Sequence, residues 1–342
     1  MSHDVHIAGT DVHFPCDEGQ SLLDAALQAG IEMPYSCRKG VCGHCAGTVL
    51  RGPVRGLDGA PMRNEFCAPD QVLYCRCTPT GDVALQPTSW HRIDPSTRKV
   101  YTAKVYRLQR VADDISILQL RLPAGQRAKF KAGQYLQVLL EDGDRRSYSM
   151  ANPPHESDAI TLHIRHVPGG RFSARVAQLQ PGELLRVELP FGTFGLQEDS
   201  ERPAVFVAGG TGFAPIKAML DDMVKRGIRR PVTLLWAARR VEHLYLLRAV
   251  AVWQRLLPGF RFMAAITGGD GPVPEGIEAF RGPVTEALTL RCPSLAGHEL
   301  YCCGSPGLVT AVHARALQHG LDASDFHSDV FVTGGQATTV TE

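Results

Sequence analysis

The chain has 342 residues, of which 44% are hydrophobic and 21% charged, with a formal net charge of +1. That is the balance of ordinary folded domains, long enough for two or three cores, and nothing in it points to nucleic acid or an anionic membrane as a partner. No apolar run is long enough to span a bilayer, and the start MSHDVHIAGT has neither the basic nor the apolar region of a signal peptide, so a cytoplasmic address is expected.

The charge is unevenly placed. Residues 1–90 hold ten acids and six bases, a net of −4, which leaves +5 for the remainder. An acidic module joined to a basic body suits electrostatic docking, between the two or with a partner protein. Ten cysteines in a reducing compartment are not expected to form disulfides. Seven of them precede residue 78, which places a metal or redox site there.

In chain order, the first 90 residues read as a small α+β unit. Short strands around Val5 and Phe14 flank a turn at Gly9. Ser21 then caps a helix, SLLDAALQAG, with Asp24 at the third helical position and Gly30 as its stop. The stretch "SCRKGVCGHCAG" follows, with Cys37, Cys42 and Cys45 spaced C-x4-C-x2-C. A structural zinc site shows two C-x2-C pairs, or one such pair with paired histidines. Here there is a single C-x2-C with Cys37 five positions upstream, which is the plant-type pattern for a 2Fe–2S cluster. Cys75, in "VLYCRC", supplies the distant fourth thiolate. Cys77 competes for that position, because two residues on in a strand it points to the same face. Gly40, Gly43 and Gly47 let the loop wrap closely enough to aim backbone N–H groups at the sulfurs. Cys16 and Cys67 read as buried small hydrophobes, and His44 as a solvated loop residue without the second histidine of a Rieske site.

The polar stretch "PTSWHRIDPSTRK" (87–99) reads as a linker. Beyond it, from about 100 to 197, "LQLRL" (118–122), "TLHIR" (161–165) and "LRVEL" (185–189) alternate apolar and polar, as in a closed antiparallel barrel. From about 203 to 332 strands alternate with helices: "AVFVAGG" before a helix over 214–225, "VTLLWAA" before one around 244–256, then "FRFMAAIT", "ELYCCG" and a helix over 307–319. That is a doubly wound parallel sheet. The last ten residues, 333–342, read as a disordered tail.

Three such segments in this order resemble the reductase components of bacterial aromatic-ring dioxygenases: a plant-type ferredoxin of β-grasp fold (1–90), an antiparallel β-barrel FAD domain (98–200) and an α/β doubly wound NAD(P) domain (201–332). The resemblance favours Cys75 over Cys77, so that Cys37, Cys42, Cys45 and Cys75 are the implied cluster ligands. "RRSYSMANPP" carries the family's R-x-Y-S. It implies that Arg146 pairs with the FAD pyrophosphate and Tyr148 packs on the isoalloxazine, with Ser147 and Ser149 beside them. A guanidinium forks onto phosphate and an aromatic face stacks on a flat ring, so the residue types suit those roles. The strand "HIR" (His163, Ile164, Arg165) and "VPGGRFS" (Gly169, Gly170, Arg171, Phe172, Ser173) complete the implied flavin site, the latter as a helix start with free N–H groups for phosphate.

For the nicotinamide cofactor the same resemblance implies the glycine loop Gly209, Gly210, Thr211 and Gly212 and the element Cys303, Gly304, Ser305 and Pro306. Ser149, Cys303 and Asp329 are its catalytic group, with Phe331 nearby. The family usually carries Glu where this chain has Asp329, which is one methylene shorter. The second strand of the sheet ends "WAARR", and an arginine there accommodates a 2′-phosphate whereas an acid would bind the free ribose hydroxyl. Arg239 and Arg240 therefore lean to NADPH, with NADH as the alternative. The implied activity is electron transfer from NAD(P)H through FAD and the 2Fe–2S cluster to a terminal oxygenase. A reductase of the same architecture for a monooxygenase or a deoxysugar dehydrase is one alternative. A non-catalytic flavin and iron–sulfur subunit is the other.

Overall fold

Ser21 opens the first helix, Leu22–Gln28, and its hydroxyl accepts the Asp24 N–H at 3.0 Å. A cap of this kind is worth about 1 kcal/mol, but the helix is held chiefly by its buried face of Leu22, Leu23, Ala26 and Leu27. Gly30 ends it at φ +75°. The computed structural model describes residues 1–332; the tail expected to be disordered, 333–342, lies outside the described residues. The chain divides into two units, the first ending at Arg98 and the second beginning at Lys99.

In the first unit the helix lies against a mixed sheet of five strands, in the order His13–Asp17, Ser2–Ile7, Val83–Pro87, Ala46–Arg51 and Gln71–Leu73. The first two form an antiparallel hairpin, and Val83–Pro87 runs parallel to Ser2–Ile7. The stretch 87–99 is not all linker. His91–Arg92 pairs antiparallel with Ile31–Glu32, and the Ile93 N–H donates to the Gly30 carbonyl at 2.8 Å. Both strands have two residues, and both residues of His91–Arg92 are exposed. Main-chain hydrogen bonds and one polar side-chain contact, His91 Nε2 to Glu32 Oε2 at 3.1 Å, make the junction, so no alternation of apolar residues announces it.

In the second unit six antiparallel strands run in the order Arg145–Ser149, Tyr135–Leu139, Leu184–Phe191, Lys99–Ala112, Ile115–Arg121 and Ala159–Arg165. The two ends meet where Met150 bridges Leu162 and the Ala151 N–H donates to the Thr161 carbonyl at 2.8 Å, which closes the barrel. Alternate residues point inward, so Leu118, Leu120, Leu136, Val138, Ile160, Leu162, Ile164 and Val187 fill it. The short helix Arg171–Val176 plugs it with Phe172 and Val176.

The rest of the chain forms a six-stranded parallel sheet, in the order Ala279–Arg281, Arg261–Ile266, Val232–Ala238, Ala204–Gly209, Glu299–Gly304 and Phe326–Val330. The chain builds outward from Ala204–Gly209 on one side and then returns to its other side with Glu299–Gly304. The switch point therefore lies between those two strands, and their carboxyl ends are where such a sheet binds ligands. Phe213 stacks on Trp236 at 3.7 Å beneath this point. At the opposite end, Arg230 and Glu299 form a buried ion pair of 2.7 Å, and Tyr301 donates a second hydrogen bond of 2.7 Å to the same carboxylate oxygen.

Candidate functional site

All ten cysteines are free thiols. Four of them converge. Cys37 shares a thiol–thiol hydrogen bond with Cys42, Cys45 shares one with Cys75, and the charge of Cys75 is felt at Cys42. The loop is wound tightly enough for this because Arg38, Gly40 and Gly43 all take positive φ. It is held from outside by Asn64, whose amide donates to the Gly40 and Val41 carbonyls at 3.0 and 3.1 Å, and by the Arg38–Asp24 ion pair to the first helix. The N–H groups of Lys39 and Val41 point at the Cys37 sulfur, and that of His44 at the Cys42 sulfur. Its thiol neighbour and burial hold Cys37 in the protonated form, and the same causes act on Cys45. Four thiols this close cannot all ionise unless a cation shares their charge, while N–H donors already face the sulfurs. That combination fits a thiolate-bound metal cluster. Cys77 lies apart, on the strand Cys77–Pro79 opposite Gly56, where burial pushes its thiol up to about 12. Cys67 donates to the Asn64 side chain at 3.5 Å.

On the barrel, Arg146, Ser147, Tyr148 and Ser149 occupy the strand Arg145–Ser149. The Tyr148 ring lies 5.5 Å from Phe172, which fixes it, and burial keeps its hydroxyl protonated. Arg146 is paired with Asp144 at 2.6 Å, and Arg171 with Asp142 and Asp144. Gly169 (φ +70°) and Gly170 lead into the helix Arg171–Val176, with Gly170 as its N-cap. A Cβ on Gly170 would stand 2.2 Å from the Ser173 hydroxyl. That hydroxyl accepts the Val167 N–H at 3.2 Å and so closes the turn. The side chains of Ile164 and Phe172 are buried in the barrel core, so only their backbone is available to a ligand. His163 faces the other way. Tyr245 lies 2.9 Å from its Nδ1, burial pushes its pKa down to about 3, and its Nε2 is a buried atom with no hydrogen-bond partner. Such an orphan beside the switch point is what a site shaped for a polar ligand leaves when described without one.

Three side chains meet at the carboxyl ends of the central strands. The Ser149 hydroxyl donates to Asp329 Oδ2 at 3.0 Å, from barrel to sheet. Asp329 is opposite Cys303 in the parallel register, and burial with the Asp329 charge keeps the Cys303 thiol protonated. The shorter carboxylate of Asp329 thus still reaches Ser149. Cys303 belongs to the apolar cluster of Phe213 and Trp236, while Cys302, also fully buried, points to the opposite face of the strand. Gly304 accepts the Phe331 N–H at 2.8 Å, and Ser305 caps the helix Pro306–Gln318. The glycine loop passes directly over this strand end. A Cβ on Gly212 would lie 2.1 Å from the Cys303 carbonyl oxygen, and one on Gly209 would lie 2.8 Å from Leu308. Thr211 is buried within the loop, and Trp236 Nε1 donates to the Gly210 carbonyl at 3.2 Å. Arg239 and Arg240 follow the second strand and are exposed. Sequence reasoning passed over Tyr245, Lys217 and Asp113. Lys217, whose ammonium donates to the Ala151 carbonyl at 3.2 Å, and Tyr245 both sit in ordinary helical or loop contexts that carry no motif.

Comparison with known proteins gives three successive domain matches. Residues 5–80 match the 2Fe-2S iron-sulfur cluster binding domain, 102–195 the oxidoreductase FAD-binding domain, and 206–314 the oxidoreductase NAD-binding domain. The chain is 55% identical over 335 residues to terephthalate 1,2-dioxygenase reductase component 2 of Comamonas sp, covering 98% of each. It is 54% identical over 333 residues to reductase component 1 from the same source, covering 97% of this chain and 98% of that one. Among solved structures, the Amycolatopsis cytochrome P450 reductase GcoB superposes with a TM-score of 0.78 at 31% identity, covering 96% of this chain and 98% of that one.

Proposed function

Because the chain belongs to the family of oxygenase reductases that join a 2Fe–2S ferredoxin domain to oxidoreductase FAD- and NAD-binding domains, we propose that it oxidises NADPH and delivers single electrons to the terminal oxygenase of a terephthalate 1,2-dioxygenase system. The observation that carries the chemistry is the junction of Ser149, Asp329 and Cys303, one residue from the barrel and two from the carboxyl ends of the parallel sheet. The acceptor rests on the full-length identity to the Comamonas reductase components. A cytoplasmic location belongs to the same reading, since four uncrosslinked thiols and a nicotinamide supply both require a reducing compartment.

When bound, FAD converts a hydride pair into single electrons and a 2Fe–2S cluster relays them one at a time. Cys37, Cys42, Cys45 and Cys75 would hold the cluster, with the N–H groups of Lys39, Val41 and His44 tempering its negative charge. Arg146 and the N–H groups of Gly169 and Arg171 would hold the FAD pyrophosphate, the Gly170 N–H being given to the Val167 carbonyl at 2.9 Å, and Tyr148, backed by Phe172, would present its ring to the flavin. The turn over Gly209, Gly210, Thr211 and Gly212 would take the dinucleotide phosphates. Asp329 orients the Ser149 hydroxyl by accepting its hydrogen bond. Cys303 stays a neutral thiol, a small apolar wall that keeps water from the strand end. Arg239 and Arg240 favour a 2′-phosphate and hence NADPH.

Anaerobic addition of NADPH to the purified protein tests the reading. Flavin absorbance should bleach first and cluster absorbance after it, and the reduced protein should support turnover by a terephthalate dioxygenase oxygenase component. Absence of bleaching would return the chain to a non-catalytic subunit. Bleaching without oxygenase turnover would point to a monooxygenase or dehydrase acceptor instead.

A further inference from the structure

Arg240 does not stand free at the end of its strand. Its guanidinium is paired with Asp113, which lies in the turn between the barrel strands Lys99–Ala112 and Ile115–Arg121. The buried His243 ties the pair together: its Nε2 lies 3.1 Å from Asp113 Oδ1 and 3.3 Å from Arg240 Nη2. Asp114 adds a second carboxylate, 3.7 Å from His243 and 3.3 Å from Arg165 Nε. Two carboxylates and a histidine within reach of one another would also suit a divalent cation, but here the guanidinium already supplies the positive charge.

The chemistry of this pair matches the chemistry expected of the 2′-phosphate. An arginine fork accepts a carboxylate or a phosphate through the same pair of N–H groups, and the dianionic phosphate binds it more strongly. The side chains of Arg240 and Asp113 are 49% and 60% exposed, so their ion pair is weak and exchanges readily. We propose that Asp113 is a built-in competitor for the 2′-phosphate: its carboxylate fills the Arg240 fork until a 2′-phosphorylated adenosine displaces it, and it thereby sets how sharply the chain separates NADPH from NADH. NADPH would then open a contact between barrel and sheet that NADH leaves closed.

This inference rests on the NADPH reading above, and its test separates the two. The dissociation constants of adenosine 2′,5′-bisphosphate and of AMP are measured by titration calorimetry on the holoprotein, for wild type, Asp113→Asn and Arg240→Ala. Asp113→Asn should bind the bisphosphate about two- to fivefold more tightly, the span of a surface ion pair, with AMP unchanged. Arg240→Ala should weaken the bisphosphate alone. If Arg240→Ala weakens the bisphosphate but Asp113→Asn leaves it unchanged, the competitor role is overturned and the NADPH reading stands. If neither variant alters bisphosphate binding, both fall.

Discussion

Gly212→Ala is the substitution on which the proposed site depends most directly. Gly212 has ordinary helical backbone angles, φ −57° and ψ −10°, so an alanine meets no conformational strain there. The obstacle is space. The added Cβ would lie 2.1 Å from the Cys303 carbonyl oxygen, 2.6 Å from its carbon and 3.0 Å from the Gly304 nitrogen. All three are backbone atoms of the central strand and none can rotate aside. Real Cβ contacts stay beyond 3.0 Å, so the loop and the strand end must separate by about 0.9 Å to clear the oxygen alone. Misplacing a reacting group by about 1 Å costs on the order of a hundredfold in rate, or about 2.7 kcal/mol of barrier. Overpacking also costs about 1–3 kcal/mol of stability. The expected result is a folded protein with full iron and flavin content, whose flavin is reduced by NADPH about a hundredfold more slowly in anaerobic stopped flow. A variant that keeps both cofactors and reduces its flavin within about twofold of wild type would refute the claim that this close approach positions the nicotinamide site.

Three further outcomes are expected elsewhere in the molecule. Cys75→Ser should abolish the visible cluster absorbance and cytochrome c reduction while sparing ferricyanide reduction by NADPH, whereas Cys77→Ser should keep the cluster, because Cys75 and not Cys77 is hydrogen-bonded to Cys45; iron analysis of the two variants decides it. Arg230→Met removes the buried partner of Glu299 but leaves Arg202 3.0 Å from its other oxygen and the Tyr301 hydroxyl donating at 2.7 Å, so it should lower unfolding stability by about 1–3 kcal/mol. Burial opposes ionisation of Glu299, but hydrogen bonds from Ser200, Tyr301 and Arg230 outweigh it and hold its carboxyl down at about 2. A depressed carboxylate contributes stability above its unfolded pKa of about 4.3 and loses it as the pH falls toward the folded value. Wild type should therefore lose stability between about pH 4.3 and 2, and Glu299→Gln should flatten that segment of the acid denaturation curve.

The sequence by itself determined the kind of each module. Spacing along the chain suffices when a function is built from one continuous loop, and the C-x4-C-x2-C stretch is such a loop: its ligand types and its glycines are local properties, as is the Ser21 cap of the helix before it. Period-two alternation marked the barrel strands, and strand–helix alternation marked the parallel sheet, because each side of a repeating element faces a constant environment. The pairing of His91–Arg92 with Ile31–Glu32 left no such trace, since two residues a side, joined by main-chain bonds and one polar side-chain contact, show no apolar alternation. Cys75 and Cys77 share a face in any extended strand, so spacing alone left both open and the resemblance favoured Cys75; the chain's path after Leu73, with the Arg76 N–H bonded back to the Leu73 carbonyl at 2.8 Å, sets Cys75 beside Cys45.

The tertiary structure alone decided what meets at the switch point. Ser149 and Asp329 are 180 residues apart and Asp113 and Arg240 are 127 apart, distances over which no local pattern carries information. Whether an aspartate could do the work of a longer glutamate was a question of tenths of an ångström between barrel and sheet. The hydrogen bond of 3.0 Å from the Ser149 hydroxyl to Asp329 Oδ2 answers it, since the shorter side chain still spans from sheet to barrel.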